Sequence, residues 1–347
     1  MIKYKKYSLR FLLSIPFLII SIILFNYTID PYQQYRKASF YTFSTKKARY
    51  LNAGLIKNYD YNSLIIGSSM MANFDVLEVE RMLNFSRTLK PLTFGGFISE
   101  ESDTINTALK YKNIKNIFMG LDIYSFSGFN IPSEKNQRFP LYLYDDNFYN
   151  DLEYLFNFQV FRYSIKLLLR KYDKEKINFQ LNTLYDWHDE YKHLFSGKEL
   201  LTDYSIRSAD NKSVSHLYSF EILQKNFELY LLPIIKKNTN INFIFFFPPY
   251  SIFEYKLMSK HDYLLDAIKF KNYIGKNLAK YNNVKLYDFQ IANHITHNLK
   301  NYKDTTHYHK RINTWMLKEI SKDRYRKEFN PEKDFKFIQE IKEFCVQ

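Results

Sequence analysis

Cysteine is nearly missing from this chain: Cys345 is the only one in 347 residues. An intramolecular disulfide and a cysteine-based zinc site are therefore both excluded. Exported proteins do without disulfides, so an envelope location stays open. Glycine and proline are scarce as well, at 8 and 9 residues, while tyrosine and phenylalanine reach 31 and 32. With Lys, Asn and Ile also abundant, this bias reads first as the drift of an AT-rich genome and second as a carbohydrate-stacking surface. No recognisable nucleic-acid module accompanies the net charge of +14. The basic residues are scattered through mixed stretches such as Arg170-Lys171-Tyr172-Asp173-Lys174-Glu175-Lys176. That pattern reads as a solvated face, so no nucleic acid is expected as a partner, and anionic lipid headgroups or acidic glycans fit the charge better. No internal repeat is visible. At 46% hydrophobic and 25% charged residues, the chain reads as globular, with room for one large α/β domain and an insertion or for two modest domains.

What is present begins with a membrane segment. Lys3, Lys5, Lys6 and Arg10 precede an uncharged run of nineteen residues, Phe11 to Ile29, closed by Asp30. At ~1.5 Å per residue the run spans roughly 28 Å, close to the hydrocarbon thickness of a bilayer. The following Asn26-Tyr27-Thr28-Ile29-Asp30-Pro31-Tyr32 lacks an A-x-A cleavage pattern, which favours an uncleaved signal anchor over a cleavable signal peptide. Arg36, Lys37, Lys46, Lys47 and Arg49 follow the span, so the positive-inside rule is nearly balanced. The short basic tail, residues 1–10, is expected in the cytoplasm and the bulk of the chain outside the membrane.

Residues 30–61 read as a juxtamembrane connector. From Asn62, short apolar runs alternate with longer amphipathic stretches, the pattern of an α/β sheet. Strands are expected at Leu64–Ile66, Leu92–Gly96, Ile114–Asp122, Ile241–Phe247 and Val284–Asp288. Asp75 is placed to cap a helix carrying Val76, Leu77, Val79, Met82 and Leu83. Further helices are expected from Ser99 through Leu109, near 220–235 and 263–281, and across Ile312 to Ile320. Residues 126–216 break the rhythm and read as an aromatic, helical insertion or cap over the sheet, with helical periodicity from Leu152 to Leu169. Residues 324–347 read as a charged tail.

Two short stretches carry the chemistry. Leu64-Ile65-Ile66-Gly67-Ser68-Ser69 is a buried strand opening into a tight turn, which would hold a hydroxyl at the C-terminal edge of a sheet, where ligands collect in open α/β folds. Asp304-Thr305-Thr306-His307 offers a carboxylate and an imidazole three residues apart, on a loop entering a helix. A serine becomes nucleophilic when a histidine can take its proton and a carboxylate fixes that histidine's tautomer. Ser69, His307 and Asp304 supply those three parts. Met71 stands where the Gly-x-Ser-x-Gly elbow of α/β-hydrolases has its last glycine, which argues against that fold.

These residues resemble the SGNH (GDSL-like) hydrolase superfamily over roughly Asn62 to Asp323. The likeness is closest to its membrane-anchored envelope members, such as alginate acetylation proteins and the esterase-like proteins of teichoic acid D-alanylation. Ser69 matches the serine of the family's Gly-Asp-Ser block, with Ser68 in place of the aspartate. Gly96, or its neighbour Gly95, matches the glycine whose N–H enters the oxyanion hole. Gly120-Leu121-Asp122 falls on Gly-x-Asn-Asp, and Asp304 and His307 match Asp-x-x-His. The resemblance implies a three-layer, flavodoxin-like α/β fold with a central parallel sheet. It implies catalysis by Ser69, His307 and Asp304, with the Ser69 N–H, Gly96 and Asp122 as oxyanion-hole candidates and no cofactor. The substrate class implied is O-acyl, chiefly O-acetyl, groups of a cell-envelope polysaccharide. The partners would be that polysaccharide or its acyl-donor machinery, at the outer face of a bacterial cytoplasmic membrane. Hydrolysis and acyl transfer share this apparatus.

Asp122 departs from the pattern, because a carboxylate donates to an oxyanion only when protonated. That departure keeps open a non-catalytic, polysaccharide-binding or assembly role on the same fold. His294, His297, His307 and His309 fall within sixteen residues, which raises a zinc site with Asp304 as a further ligand, although no H-E-x-x-H helix is present and no metal is expected. His309 is an alternative base to His307.

Overall fold

The computed structural model describes residues 2–39, 41, 45–130, 132, 135, 138–170, 181–210, 214–327 and 339. Most of the mixed run 170–176 lies outside them, as do the charged tail beyond 327, save 339, and Cys345.

The apolar runs after Asn62 form β1 (Ser63–Ile66), β2 (Thr88–Leu89), β3 (Asn116–Gly120), β4 (Asn242–Phe247) and β5 (Val284–Asp288). They make one parallel sheet in the order β2-β1-β3-β4-β5. This is a doubly wound order, in which β1 and β3 flank the point where the winding reverses. The strands are nearly unbroken in apolar sequence because both faces are covered. On one face Phe118 and Phe246 stack at 5.2 Å and meet Phe74, while Phe289 links Phe246 to Trp315 of the helix Lys310–Ser321. On the other face Phe243 and Phe245 stack at 5.6 Å, and Phe247 lines a small cavity with Phe270 and Lys271 of the helix Leu264–Leu278.

Four of the five expected strands are present, with trimmed ends. The exception is Leu92–Gly96, which forms a loop and turn; the second strand lies earlier, at Thr88–Leu89. Pro91 has no N–H with which to extend the ladder. Lys90 is fully buried and spends its ammonium on the carbonyls of Ala72 and Phe74, at 2.7 and 2.8 Å. Burial pushes that amine down to about 7. The helix Val76–Leu83 begins as expected, with Asp75 accepting from the N–H groups of Leu77 and Glu78. Past residue 323 the chain runs antiparallel to β5, with the Asp288 N–H donated to Tyr325 O and the Lys327 N–H to Leu286 O. The sheet's edge is thereby covered.

The chain divides into two compact units, residues 1–59 with 137–179, and residues 60–136 with 180–347. The sheet belongs to the second. The stretch 126–216, a single insertion by its sequence, is thus shared between them. In the first unit the helix Ile2–Ile29 contains Arg10–Ile29, twenty mostly exposed residues long and apolar enough to cross a membrane. Asn26 in its last turn donates to Leu155 O at 2.8 Å and accepts from Ser164 Oγ at 3.2 Å. Asp30 ends the helix and accepts from the N–H groups of Gln34, Tyr35 and Arg36. The connector is itself folded: the helix Ala48–Asn58 buries Leu51, Leu55 and Ile56.

Candidate active site

β1 ends at Gly67, where φ is +139° and an added Cβ would come within 2.7 Å of Met71 Cγ. Only glycine takes that backbone comfortably. The chain then enters a single turn, Ser69–Met71, at the C-terminal edge of the sheet. Ser68 caps this turn, its Oγ accepting from the Met70 N–H. Ser69 is left half-buried at the wall of a cavity of about 480 Å³, which Gly95, Gly96, Asp122, Tyr124, Arg207 and His307 also line.

His307 reaches this wall from residues 238 positions away and places Nε2 2.8 Å from Ser69 Oγ. Its Nδ1 is 2.8 Å from Asp304 Oδ2 and 3.0 Å from Oδ1. Asp304 Oδ1 also accepts from the N–H groups of Thr306 and His307, at 3.0 and 2.7 Å. A three-residue spacing therefore lets one carboxylate hold both its own loop and the imidazole. Burial alone would raise the Asp304 carboxyl. The hydrogen bond and charge of His307, together with Lys303 at 2.7 Å, outweigh it and hold the carboxyl well below the usual carboxylate range. With Asp304 at Nδ1, the tautomer that carries its proton there leaves Nε2 free to accept the serine proton.

The loop is anchored at its base by two fully buried tyrosines. Tyr302 and Tyr308 form an antiparallel bridge. Tyr302 donates to Pro249 O at 2.9 Å, and Tyr308 donates to Met70 O at 3.3 Å, which ties the base-bearing loop to the nucleophile's turn. Thr305 fixes the middle. Its N–H donates to Asp203 Oδ2 at 3.0 Å, and its carbonyl accepts from the N–H and Oγ of Ser251. Arg207 pairs through both guanidinium nitrogens with the fully buried Glu254 and reaches Thr305 Oγ1. Trp187, on the other side, donates its Nε1–H to Ser69 O at 3.2 Å and stands edge-on to the His307 ring at 5.7 Å. None of these supports was identified in the sequence. Trp187 is one of two tryptophans, and Thr305 sits inside the Asp-x-x-His motif, which were the available signals.

The remaining oxyanion-hole candidates are near the serine but already engaged. Gly96 is buried, and its N–H is donated to Thr93 O at 2.8 Å. Asp122 accepts from Ser68 Oγ at 2.8 Å, from Tyr250 OH at 2.5 Å and from the Tyr124 N–H at 3.2 Å. Both carboxyl oxygens face donors, so the side chain acts as an acceptor that clamps three loops and does not donate toward Ser69. Ser68, the substitute for the family's aspartate, is one partner in that clamp.

No match is found among protein-family models, curated proteins or solved structures. The functional reading therefore rests on the geometry of the site alone.

The other histidines lie apart from Ser69. His309 caps the helix Lys310–Ser321 by accepting from the Arg311 N–H, and its ring packs 4.2 Å from that of His188. Burial, with the charges of His188 and Arg311, pushes it down to about 4. His294 stands against Trp315, and His297 bonds within its own turn. Among the described residues no three His, Cys, Asp or Glu side chains converge to hold a metal ion.

Proposed function

We propose that this protein is an SGNH-type serine acyl hydrolase or acyltransferase, held in a membrane by its N-terminal helix, that acts on O-acyl groups of a cell-envelope polysaccharide. The observation that carries the reading is the relay from Ser69 Oγ to His307 Nε2 at 2.8 Å and from His307 Nδ1 to Asp304 at 2.8 Å, open to a cavity. The parallel sheet in doubly wound order supports it, since Ser69 stands at the strand edge where such folds bind ligands. In this reading His307 removes the Ser69 proton as Oγ attacks the ester carbonyl. The tetrahedral oxyanion collapses, and the protonated His307 passes that proton to the departing sugar oxygen. Water or a second sugar hydroxyl, deprotonated in turn by His307, then releases the acyl group from Ser69. The oxyanion falls to the backbone N–H groups of Ser69 and Gly95, because those of Gly96 and the Asp122 carboxyl are committed elsewhere. The basic tail stays in the cytoplasm, and the catalytic unit faces outward.

The test uses the full chain in detergent. Fluorophosphonate labelling and p-nitrophenyl acetate turnover are expected from the native chain, and Ser69→Ala is expected to abolish labelling and to lower kcat by about 10⁶-fold. Labelling that survives Ser69→Ala would discard the assignment. The engaged Gly96 and Asp122 favour one alternative, a polysaccharide-binding role without chemistry. That reading predicts glycan binding by a folded native chain that neither labels nor turns over.

A further inference from the structure

The first unit carries an exposed apolar stripe that the catalytic reading does not use. The helix Phe158–Arg170 buries Val160, Ser164 and Leu167 and turns its opposite side outward. On that side Phe158, Ile165 and Leu169, at i, i+7 and i+11, share one stripe. They are 70%, 38% and 66% exposed. Arg162 and Lys166 flank the stripe, both exposed, and the helix contains no acidic residue. Leu152 and Phe156, one turn apart just before it, are exposed as well.

The position of this helix is fixed by the N-terminal helix. Phe161 packs edge-on to Phe25 at 5.2 Å, and Ser164 donates to Asn26. The carbonyls of Leu155 and Asn157 both accept from Asn26 Nδ2. Phe25 and Asn26 precede the end of the apolar stretch at Ile29 by three to four residues. At 1.5 Å per residue, the second helix crosses roughly 5 Å inside that end. Amphipathic helices that lie in a bilayer surface bury their apolar face about 5–10 Å into the headgroup and acyl boundary. Tyr32 stacks on Tyr163 at 5.1 Å and also contacts Tyr50 and Tyr154, an aromatic cluster just beyond the span of the kind enriched at membrane interfaces.

We infer that the helix Phe158–Arg170 lies in the membrane surface as a second contact beside the span. Phe158, Ile165 and Leu169 enter the acyl boundary, and Arg162 and Lys166 meet anionic lipid headgroups. The inference rests on reading Arg10–Ile29 as a membrane span and is independent of the chemistry at Ser69. It converts a single tether, about which a domain could swivel, into a two-point mounting.

The test uses the full chain with Cys345→Ser, reconstituted in vesicles containing phosphatidylglycerol. Single cysteines at Phe158, Ile165 and Leu169 carry an environment-sensitive nitrobenzoxadiazole label, with Leu18 as a reference in the span and Leu229 as an exposed reference in the other unit. Circular dichroism confirms that each variant is folded. Labels at 158, 165 and 169 are expected to be quenched by nitroxide lipids at least half as strongly as at 18, and by aqueous iodide several-fold less than at 229. Iodide quenching equal to that at 229 overturns the inference. So does protection from both quenchers, which would mean that protein covers the stripe. If the label at Leu18 itself escapes the nitroxide lipids, the span reading fails and the inference falls with it, while the fluorophosphonate result at Ser69 stands unaffected.

Discussion

The two sides of the cavity around Ser69 are held together by different means. On the base side, His307 and Asp304 are fixed through their backbones and through Nδ1, by Tyr302, Tyr308, Thr305 and the Arg207–Glu254 pair. That scaffolding leaves the Ser69 Oγ and His307 Nε2 facing each other. On the opposite side the corresponding groups are used by the fold itself: the Gly96 N–H closes a turn, and Asp122 clamps Ser68, Tyr250 and Tyr124. Groups that do chemistry must have their reactive atoms unspent, and only the base side meets that condition with its side chains. The contrast says that nucleophile activation and charge stabilisation are separable in this protein. Substitutions on the two sides should then fail differently, one in rate and the other in stability.

The largest effect is expected at Asp304. Asp304→Asn keeps the shape of the loop but presents the wrong group to Nδ1, and kcat should fall by about 10⁴-fold with KM little changed. The same carboxyl carries a stability term. Because it is held below its ordinary value of 3.8, the unfolded chain binds its proton first as pH falls. That contribution is complete above about pH 4 and is lost as pH drops below it toward the folded value. Urea titrations between pH 5 and 2 should show the native chain losing stability along this slope and Asp304→Asn lacking that part of it. A variant with native kcat would place the catalytic base elsewhere.

Gly96→Ala should act on folding. The new Cβ would meet Thr93 O at 2.6 Å and Thr93 Cβ at 2.7 Å, and overpacking of this kind costs about 1–3 kcal/mol. Chemical denaturation reads that cost directly. If the variant is as stable as the native chain, the turn is looser than these contacts require, and the Gly96 N–H returns as an oxyanion donor. Asp122→Asn separates the two roles of that side more finely. An amide at this position offers a donor where Ser68 and Tyr250 need acceptors, so stability should fall by about 1–3 kcal/mol and kcat should not rise. A kcat increase of tenfold or more would show that a donor was missing from the oxyanion hole and that the new amide supplies it.

The same division marks what could be read from the sequence. The sheet was legible because parallel strands buried on both faces leave continuous apolar runs, and β4, Asn242–Phe247, is almost entirely phenylalanine. The Ser69 and Asp-x-x-His pairing was legible because a strand-end turn and a three-residue spacing are local patterns. The second strand was misplaced because Leu92-Thr93-Phe94-Gly95-Gly96 is as apolar as a strand, and nothing local announces that Lys90 turns inward to two distant carbonyls. Trp187, Arg207 and Glu254 were not legible either, since they come from separate segments and acquire meaning only when the chain brings them to Thr305 and Ser69. The Asp122 clamp is likewise a meeting of three loops, which a motif comparison reduces to one mismatched letter.

The smallest expected effect belongs to Lys303, and it probes how far the base side depends on charge. Its ammonium is 2.7 Å from Asp304 Oδ2, and it lies over the rings of Trp187 and Tyr191 at 5.1 and 5.3 Å. Lys303→Met keeps the stem that packs on these rings and removes the cation. Both partners are partly exposed, so the pair should contribute no more than about 1 kcal/mol. Losing it lets the Asp304 carboxyl move back toward its ordinary value, so acid unfolding should begin at a higher pH than in the native chain. Because His307 and two backbone N–H groups still hold the carboxylate, kcat at neutral pH should change by less than about tenfold, far from the loss at Asp304→Asn. A loss of the Asp304→Asn size would mean that the loop is positioned by the lysine's charge, and that the hydrogen-bonded scaffold of Thr305, Tyr302 and Tyr308 does not suffice to place His307.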